Sequence, residues 1–203
     1  DADLVMIGYN SPALVIFSRF FCRKKIIFNA VLSEYERMII ARKLAPRFSL
    51  KAVYYWVLDL AAVHLADLTT VETNHQLDFF KKMFITSGKT LYRNWIGVDE
   101  SKFFYDQPRQ KFDVFTVFFR GALMPEAGAK YVVRAAKLLE DKNIRFIIIG
   151  GGILSGRIKE LINELNPVNL EYIGDYLSYE KLRDTMQKCH LSLGQLSDHK
   201  RLN

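Results

Sequence analysis

Cysteine is nearly absent from this sequence: Cys22 and Cys189 are the only two, they lie far apart, and neither sits in a CxxC or Cys/His spacing. That scarcity argues against a disulfide framework and against a zinc site, and the setting reads as reducing and cytoplasmic. Long apolar runs are missing too. The nearest approach, Ala13 to Cys22, is interrupted by Arg19 and falls short of the roughly 18 residues a membrane span needs. Acidic side chains are in deficit, 22 against 29 basic ones, and the net charge of +7 favours anionic partners such as nucleotides, phospholipid headgroups or nucleic acid. Charge alone does not choose among them. Asp1-Ala2-Asp3 is acidic where a signal peptide would be basic, and the chain is expected to begin inside a fold.

What is present is the composition of a packed protein: half of the 203 residues are hydrophobic, and the length suits two small domains. Leu4 to Ile7 is a buried strand, Ser11-Pro12 opens a helix to about Cys22, and Ile26 to Phe28 is a second strand, which is the order of a parallel βαβ unit. From Ser33 the pattern turns helical, with Ser33 and Glu36 spaced as a capping box, until Pro46 breaks it. Ser49 to Ala66 is a longer helix with Ala52, Val53, Trp56, Leu60 and Val63 on one face. Leu68 to Val71 is a strand, Asn74 caps a helix carrying Leu77, Phe80 and Phe84, and Lys89 to Tyr92 is one more strand.

The texture then changes, and the boundaries read as a first domain over 1–98, a polar linker over 99–111 and a second domain over 112–203. In the second domain, strands at Val114 to Phe119, Ile144 to Ile149, Leu170 to Ile173 and His190 to Leu193 alternate with helices at Ala129 to Leu139, Gly156 to Leu165 and Ser178 to Gln187. Strands without polar alternation belong to a sheet covered on both faces, so the class is doubly wound α/β.

Ligands of such sheets bind at the carboxyl ends of the strands, and three strands here end in glycine: Arg120-Gly121, Gly150-Gly151-Gly152 and Gly174-Asp175. Glycine admits a phosphate close to the backbone, and the helix that follows offers unpaired N–H groups, although any one of these glycines serves equally well as a plain turn. A dinucleotide fingerprint does not fit, because Gly150-Gly151-Gly152 follows a later strand and Gly121 to Gly128 has the wrong spacing.

The run Val117 to Gly128 with its following helix, Ile147 to Gly152, Tyr172-Ile173-Gly174, and Asn94 to Phe103 together resemble, in order and separation, family 4 glycosyltransferases of the GT-B fold. That resemblance implies two Rossmann-like domains, both incomplete, in an atypical member truncated at both ends. It further implies a retaining transfer from a nucleotide-diphosphate sugar to a carbohydrate or lipid-linked acceptor, in polysaccharide biosynthesis, with no cofactor beyond the donor and no required metal. The donor-binding residues it implies are Arg120, Gly121, Ala122, Gly128, Gly150, Gly151, Gly174 and Lys200. The family's diphosphate-binding arginine and lysine fall on Ala122 and Ala127, so Arg120, Lys200 and Arg201 are the candidate replacements. Its paired glutamates would follow Asn203, and no catalytic residue can be named.

Other readings stay open. A non-catalytic nucleotide- or sugar-binding module would explain the two alanines, and nucleic-acid binding rests on charge only. His64 reads as packed or surface-lying, His75 as the better cleft histidine, and Tyr54-Tyr55-Trp56 and Phe79-Phe80 as core. Phe17 to Lys25 joins apolar bulk to basic residues, the pattern of peripheral membrane contact at the inner face; a buried helix before a charged turn fits equally well.

Overall fold

The computed structural model describes residues 2–86, 90–104 and 109–196. The chain divides into two compact units, the first ending at Gly97 and the second beginning at Val98. The class expected from the sequence is what is found: each unit is built on a four-stranded, wholly parallel sheet.

In the first unit β1 (Leu4–Ile7), β2 (Lys25–Val31), β3 (Leu68–Val71) and β4 (Leu91–Arg93) lie side by side in chain order. Helices α1 (Pro12–Phe21), α2 (Leu50–Leu65) and α3 (Asn74–Phe84) make the crossovers that parallel pairing requires. Their inner residues, Val15, Ala62, Val63, Phe79, Phe80 and Phe84, close over Ile26, Phe28 and Val71 of the sheet as one core.

Three local readings are corrected. The helix expected from Ser33 is a six-residue π-helical segment, Glu36–Ala41. Ser33 Oγ does accept from the Glu36 amide at 3.0 Å, but its hydroxyl donates to Asp59 at 2.7 Å, tying this turn to α2. Asn74 does not cap α3. Thr73 does, because its Oγ1 accepts from the Gln76 amide while Gln76 Oε1 accepts from the Thr73 amide, a reciprocal box; Asn74 instead accepts from Arg93. On α2 the expected face is also shifted: Val53 is exposed, Tyr54, read as core, is exposed too, and the buried polar residue is Asp59.

The second unit contains β5 (Phe115–Arg120), α4 (Ala129–Leu138), β6 (Ile144–Ile149), α5 (Ser155–Leu165), β7 (Leu170–Ile173), α6 (Tyr179–Lys188) and β8 (Leu191–Leu193). Its strand order is β7-β6-β5-β8, so the order reverses beside β5, the topological switch point at which open sheets bind ligands. Val117 and Phe119 face one core with Val132, Val133, Ala136 and Ile148, whereas Phe118 and Ile147 face another with Leu182 and Cys189. That alternation covers both faces of the sheet, which is why the central strands β5 and β6 are apolar over most of their length. Described residues of the 99–111 segment pack on this unit: Phe103 meets Tyr179 edge to face, Arg109 pairs with Asp184, and the Lys111 ammonium donates to the Gln187 and Cys189 carbonyls.

Candidate functional site

β5, β6 and β7 run in register, Phe119 beside Ile148 and Ile148 beside Tyr172, so their carboxyl ends arrive at one place. The loops leaving them are joined backbone to backbone. The Gly121 amide donates to the Ile149 carbonyl at 3.2 Å, Leu123 to Gly151 at 3.0 Å, Gly150 to Ile173 at 3.0 Å and Leu154 to Leu123 at 2.9 Å. The Tyr172 hydroxyl adds a bond to the Gly150 carbonyl at 3.2 Å. Stitched in this way, the loops form a floor that needs no ligand to hold its shape.

Above that floor is a cleft of about 220 Å³, lined by Arg120, Gly121, Ala122, Gly150, Gly151 and, from the loop after β7, Asp175, Tyr176 and Leu177. Whole small-molecule sites run to roughly 300–1,000 Å³, so this cleft suits part of a ligand, and a diphosphate is such a part. Its polar equipment is spare. The Ala122 and Gly151 amides make no hydrogen bond among the described residues. Arg120 ends β5 exposed and forms no ion pair among the described residues. A guanidinium and two backbone donors bordering one small space are what an anion requires.

Five of the eight donor-binding residues read from the sequence are thus brought together: Arg120, Gly121, Ala122, Gly150 and Gly151. Gly174 closes β7 against the Tyr172 ring, outside the lining. Gly128 stands at the start of α4 on the far side of the first loop, where it borders a larger groove of about 520 Å³ between α4 and α5. That groove lies on the helical flank, with Leu123, Leu154, Ile158 and Leu161 as its apolar wall. The cleft at the strand ends is the better anion site despite its smaller volume, because it lies at the switch point beside β5, where Arg120 and the Ala122 and Gly151 amides border one space. Lys200 and Arg201 fall outside the described residues.

The glycines do something the sequence reading did not anticipate. Gly150 has φ +144°, and a Cβ there would stand 2.0 Å from the Gly121 carbonyl oxygen, so its lack of a side chain serves loop-to-loop stacking. Gly128, at φ +76°, would place a Cβ 1.8 Å from the Leu196 carbonyl oxygen where the chain crosses the head of α4. Gly121 differs from both: nothing stands within 4 Å of its missing Cβ. Tyr176 was passed over in sequence, and Asp175 was named in the loop after Gly174 without being taken as a site residue, although their position directly after a strand-ending glycine was the available signal.

His64 is exposed, with its Nε2 2.9 Å from the Phe84 carbonyl oxygen; His75 is exposed in the first turn of α3 and lines neither the cleft nor the groove. In the first unit the conspicuous titratable group is Asp59. Burial pushes its carboxyl up to about 6, against the pull of the Tyr35 amide, the Ser33 hydroxyl and the Glu34 amide, all of which donate to it. It organises the turn after β2. In the second unit, burial raises the Cys189 thiol. Among the described residues no group of His, Cys, Asp and Glu is placed to hold a metal, and no helix is long and apolar enough to cross a membrane.

Comparisons with known proteins bear on the fold. No curated protein matches the sequence. Among solved structures, Anabaena HepE in complex with UDP and glucose superposes with a TM-score of 0.67 at 13% identity, over 94% of this chain and 52% of its own. A Staphylococcus aureus TarM mutant, solved with fondaparinux, alpha-GlcNAc-glycerol and UDP, gives 0.63 at 14% identity, over 90% of this chain and 35% of its own. WaaG, described as a glycosyltransferase involved in lipopolysaccharide biosynthesis, gives 0.65 at 11% identity, over 88% and 55%. The chain therefore spans about half the length of these structures or less, and at such identities they establish the fold. The profile of glycosyl transferases group 1 matches residues 101–196, which is nearly all of the second unit. The second unit of this chain matches the model of glycosyl transferases group 1, and the chain as a whole shares the two-sheet α/β fold of these GT-B glycosyltransferases.

Proposed function

We propose that the protein containing this chain transfers a sugar from a nucleoside-diphosphate sugar to a carbohydrate or lipid-linked acceptor, with the donor diphosphate in the cleft at the ends of β5, β6 and β7. The observation that carries the reading is the Arg120 guanidinium beside the Ala122 and Gly151 amides, all three without a partner among the described residues. When the glycosidic C–O bond breaks, negative charge collects on the departing diphosphate, and fixed donors aimed at that charge lower the barrier. A guanidinium supplies two of them in one plane, which compensates in part for alanine at positions 122 and 127. HepE and TarM, both solved with UDP, support a uridine nucleotide as the first probe. Retention at the anomeric carbon, independence of metal and of any further cofactor, a hexosyl donor and a cytoplasmic setting belong to the same proposal.

Titration calorimetry with UDP tests it. The full-length protein is expected to bind, and Arg120→Ala to weaken binding at least about tenfold, the measure of a lost charge-assisted bond. Gly121→Ala should also weaken binding while leaving the melting temperature unchanged, since its Cβ meets only open space. Failure of the intact protein to bind UDP, or equal affinity of the Arg120→Ala variant, overturns the assignment of the cleft.

One observation favours a second reading, a non-catalytic nucleotide- or sugar-binding module: Ala122 and Ala127 stand where the resemblance led to basic residues. UDP binding together with no hydrolysis or transfer from any nucleotide-sugar donor would decide for it.

A further inference from the structure

The outer faces of α1 and α2 reverse the usual distribution of apolar side chains. Along α1 the exposed residues are Ala13, Leu14, Phe17, Phe20 and Phe21, a single stripe at helical spacing, while Val15 on the opposite side enters the core. Phe17 is 61% exposed, Phe20 79% and Phe21 77%. Along α2 the exposed stripe is Leu50, Val53, Tyr54 and Val57. The two helices pack side by side. One exposed phenylalanine needs no explanation, whereas two neighbouring apolar stripes mark a surface that is covered in use.

Charge identifies the cover. From Leu4 to Leu58 the chain has nine lysines and arginines but only two carboxylates, Glu34 and Glu36, and both of these are buried. Arg19 and Lys25 are held by Asp67. Arg23 and Lys24, directly after α1, and Lys51 on α2 are exposed and form no ion pair among the described residues. Bulky apolar side chains rimmed by free cations match the layered chemistry of an anionic bilayer surface, with acyl chains beneath phosphate headgroups. A second copy of this chain matches it poorly, because the same cations would meet themselves.

We propose that the α1–α2 face of the first unit is a seat for an anionic lipid surface, with Phe17, Phe20 and Phe21 entering the boundary between headgroups and acyl chains and Arg23 and Lys24 on lipid phosphates. The contact is interfacial, since no helix among the described residues is long and apolar enough to span. It stands apart from the transfer reading, which concerns the second unit.

Vesicle flotation of the full-length protein tests the seat, using phosphatidylcholine alone and phosphatidylcholine with about one third phosphatidylglycerol. Binding is expected to the anionic vesicles only, and to weaken as salt rises. Arg23→Gln with Lys24→Gln should weaken it roughly twentyfold, at about fivefold per charge. Phe20→Ser with Phe21→Ser should abolish it. Both double variants replace exposed groups and should keep the native circular dichroism and the native UDP affinity. Equal binding to neutral and anionic vesicles, or binding undiminished in either double variant, overturns the proposal. So does self-association of the native protein that the phenylalanine variant removes, which would assign the face to a second copy.

Discussion

Gly150 and Gly121 face each other across the cleft floor, and a methyl group should separate their roles. Gly150→Ala places a Cβ 2.0 Å from a carbonyl oxygen at φ +144°, so it should destabilise the second unit by more than about 2 kcal/mol in urea unfolding, where Gly121→Ala costs little. Asp59 carries the strongest pH signature. Its carboxyl rises from 3.8 to about 6 through burial, so the folded protein holds this proton more tightly than the unfolded chain does. Its contribution to stability is therefore largest below about pH 4 and is lost as pH rises toward 6, by up to about 3 kcal/mol. Asp59→Asn should flatten this part of a plot of melting temperature against pH between 4 and 7. Cys189 is buried and its thiol is raised, so iodoacetamide at pH 8 should alkylate half-buried Cys22 first, as peptide mass spectrometry would read. None of these three behaviours is visible in the residue names. The spacing of Gly121 and Gly150 announces two turns, and only the stacking of one loop on another assigns one glycine to packing and leaves the other bordering open space.

At the scale of elements, the strands and helices were legible because their cores impose period. Ile144 to Ile149 and Leu170 to Ile173 were read to the residue, as apolar runs closed by glycine. The errors fell where polar side chains compete for the same amides. Thr73 and Asn74 are both good caps, and the choice went to Thr73 because Gln76 lies at the spacing that completes a box, while Arg93 draws Asn74 away. Ser33 met its capping partner, but Asp59, distant in sequence, claimed the hydroxyl and the next two amides and the turn became π-helical. A second long-range carboxylate, Asp67, fastens α1 to the sheet: it accepts from Arg19, Lys25 and the Ile26 amide. Arg19 and the Ile26 amide hold its carboxyl well below the usual carboxylate range, so this stabilisation is present at neutral pH and fades as pH falls below about 4. Asp67→Asn should cost about 1–2 kcal/mol at pH 7, allowing for partial exposure, and much less near pH 3; thermal denaturation at the two pH values checks both.

The whole molecule consists of two units with separate cores, and substitutions should respect that division. Phe80→Ala empties the first core and Ile148→Ala the second, each at about 3–5 kcal/mol, and calorimetry should find that each lowers the transition of its own unit while UDP raises only the second. The sequence by itself determined the α/β class, the succession of strands and helices, and the strand-end loops, because hydrophobic period and glycine punctuation are local properties. It also carried the family resemblance, through four segments whose order and separation survive without any coordinates. The tertiary structure decided the rest: that β5 lies between β6 and β8, that Arg120 borders a cleft with the Ala122 and Gly151 amides, that Asp59 closes a turn far from it in sequence, and that the phenylalanines of α1 face outward. Each of these depends on which groups meet across long stretches of chain, and a helical stripe of Leu14, Phe17 and Phe21 has the same period whether it faces the sheet or the solvent.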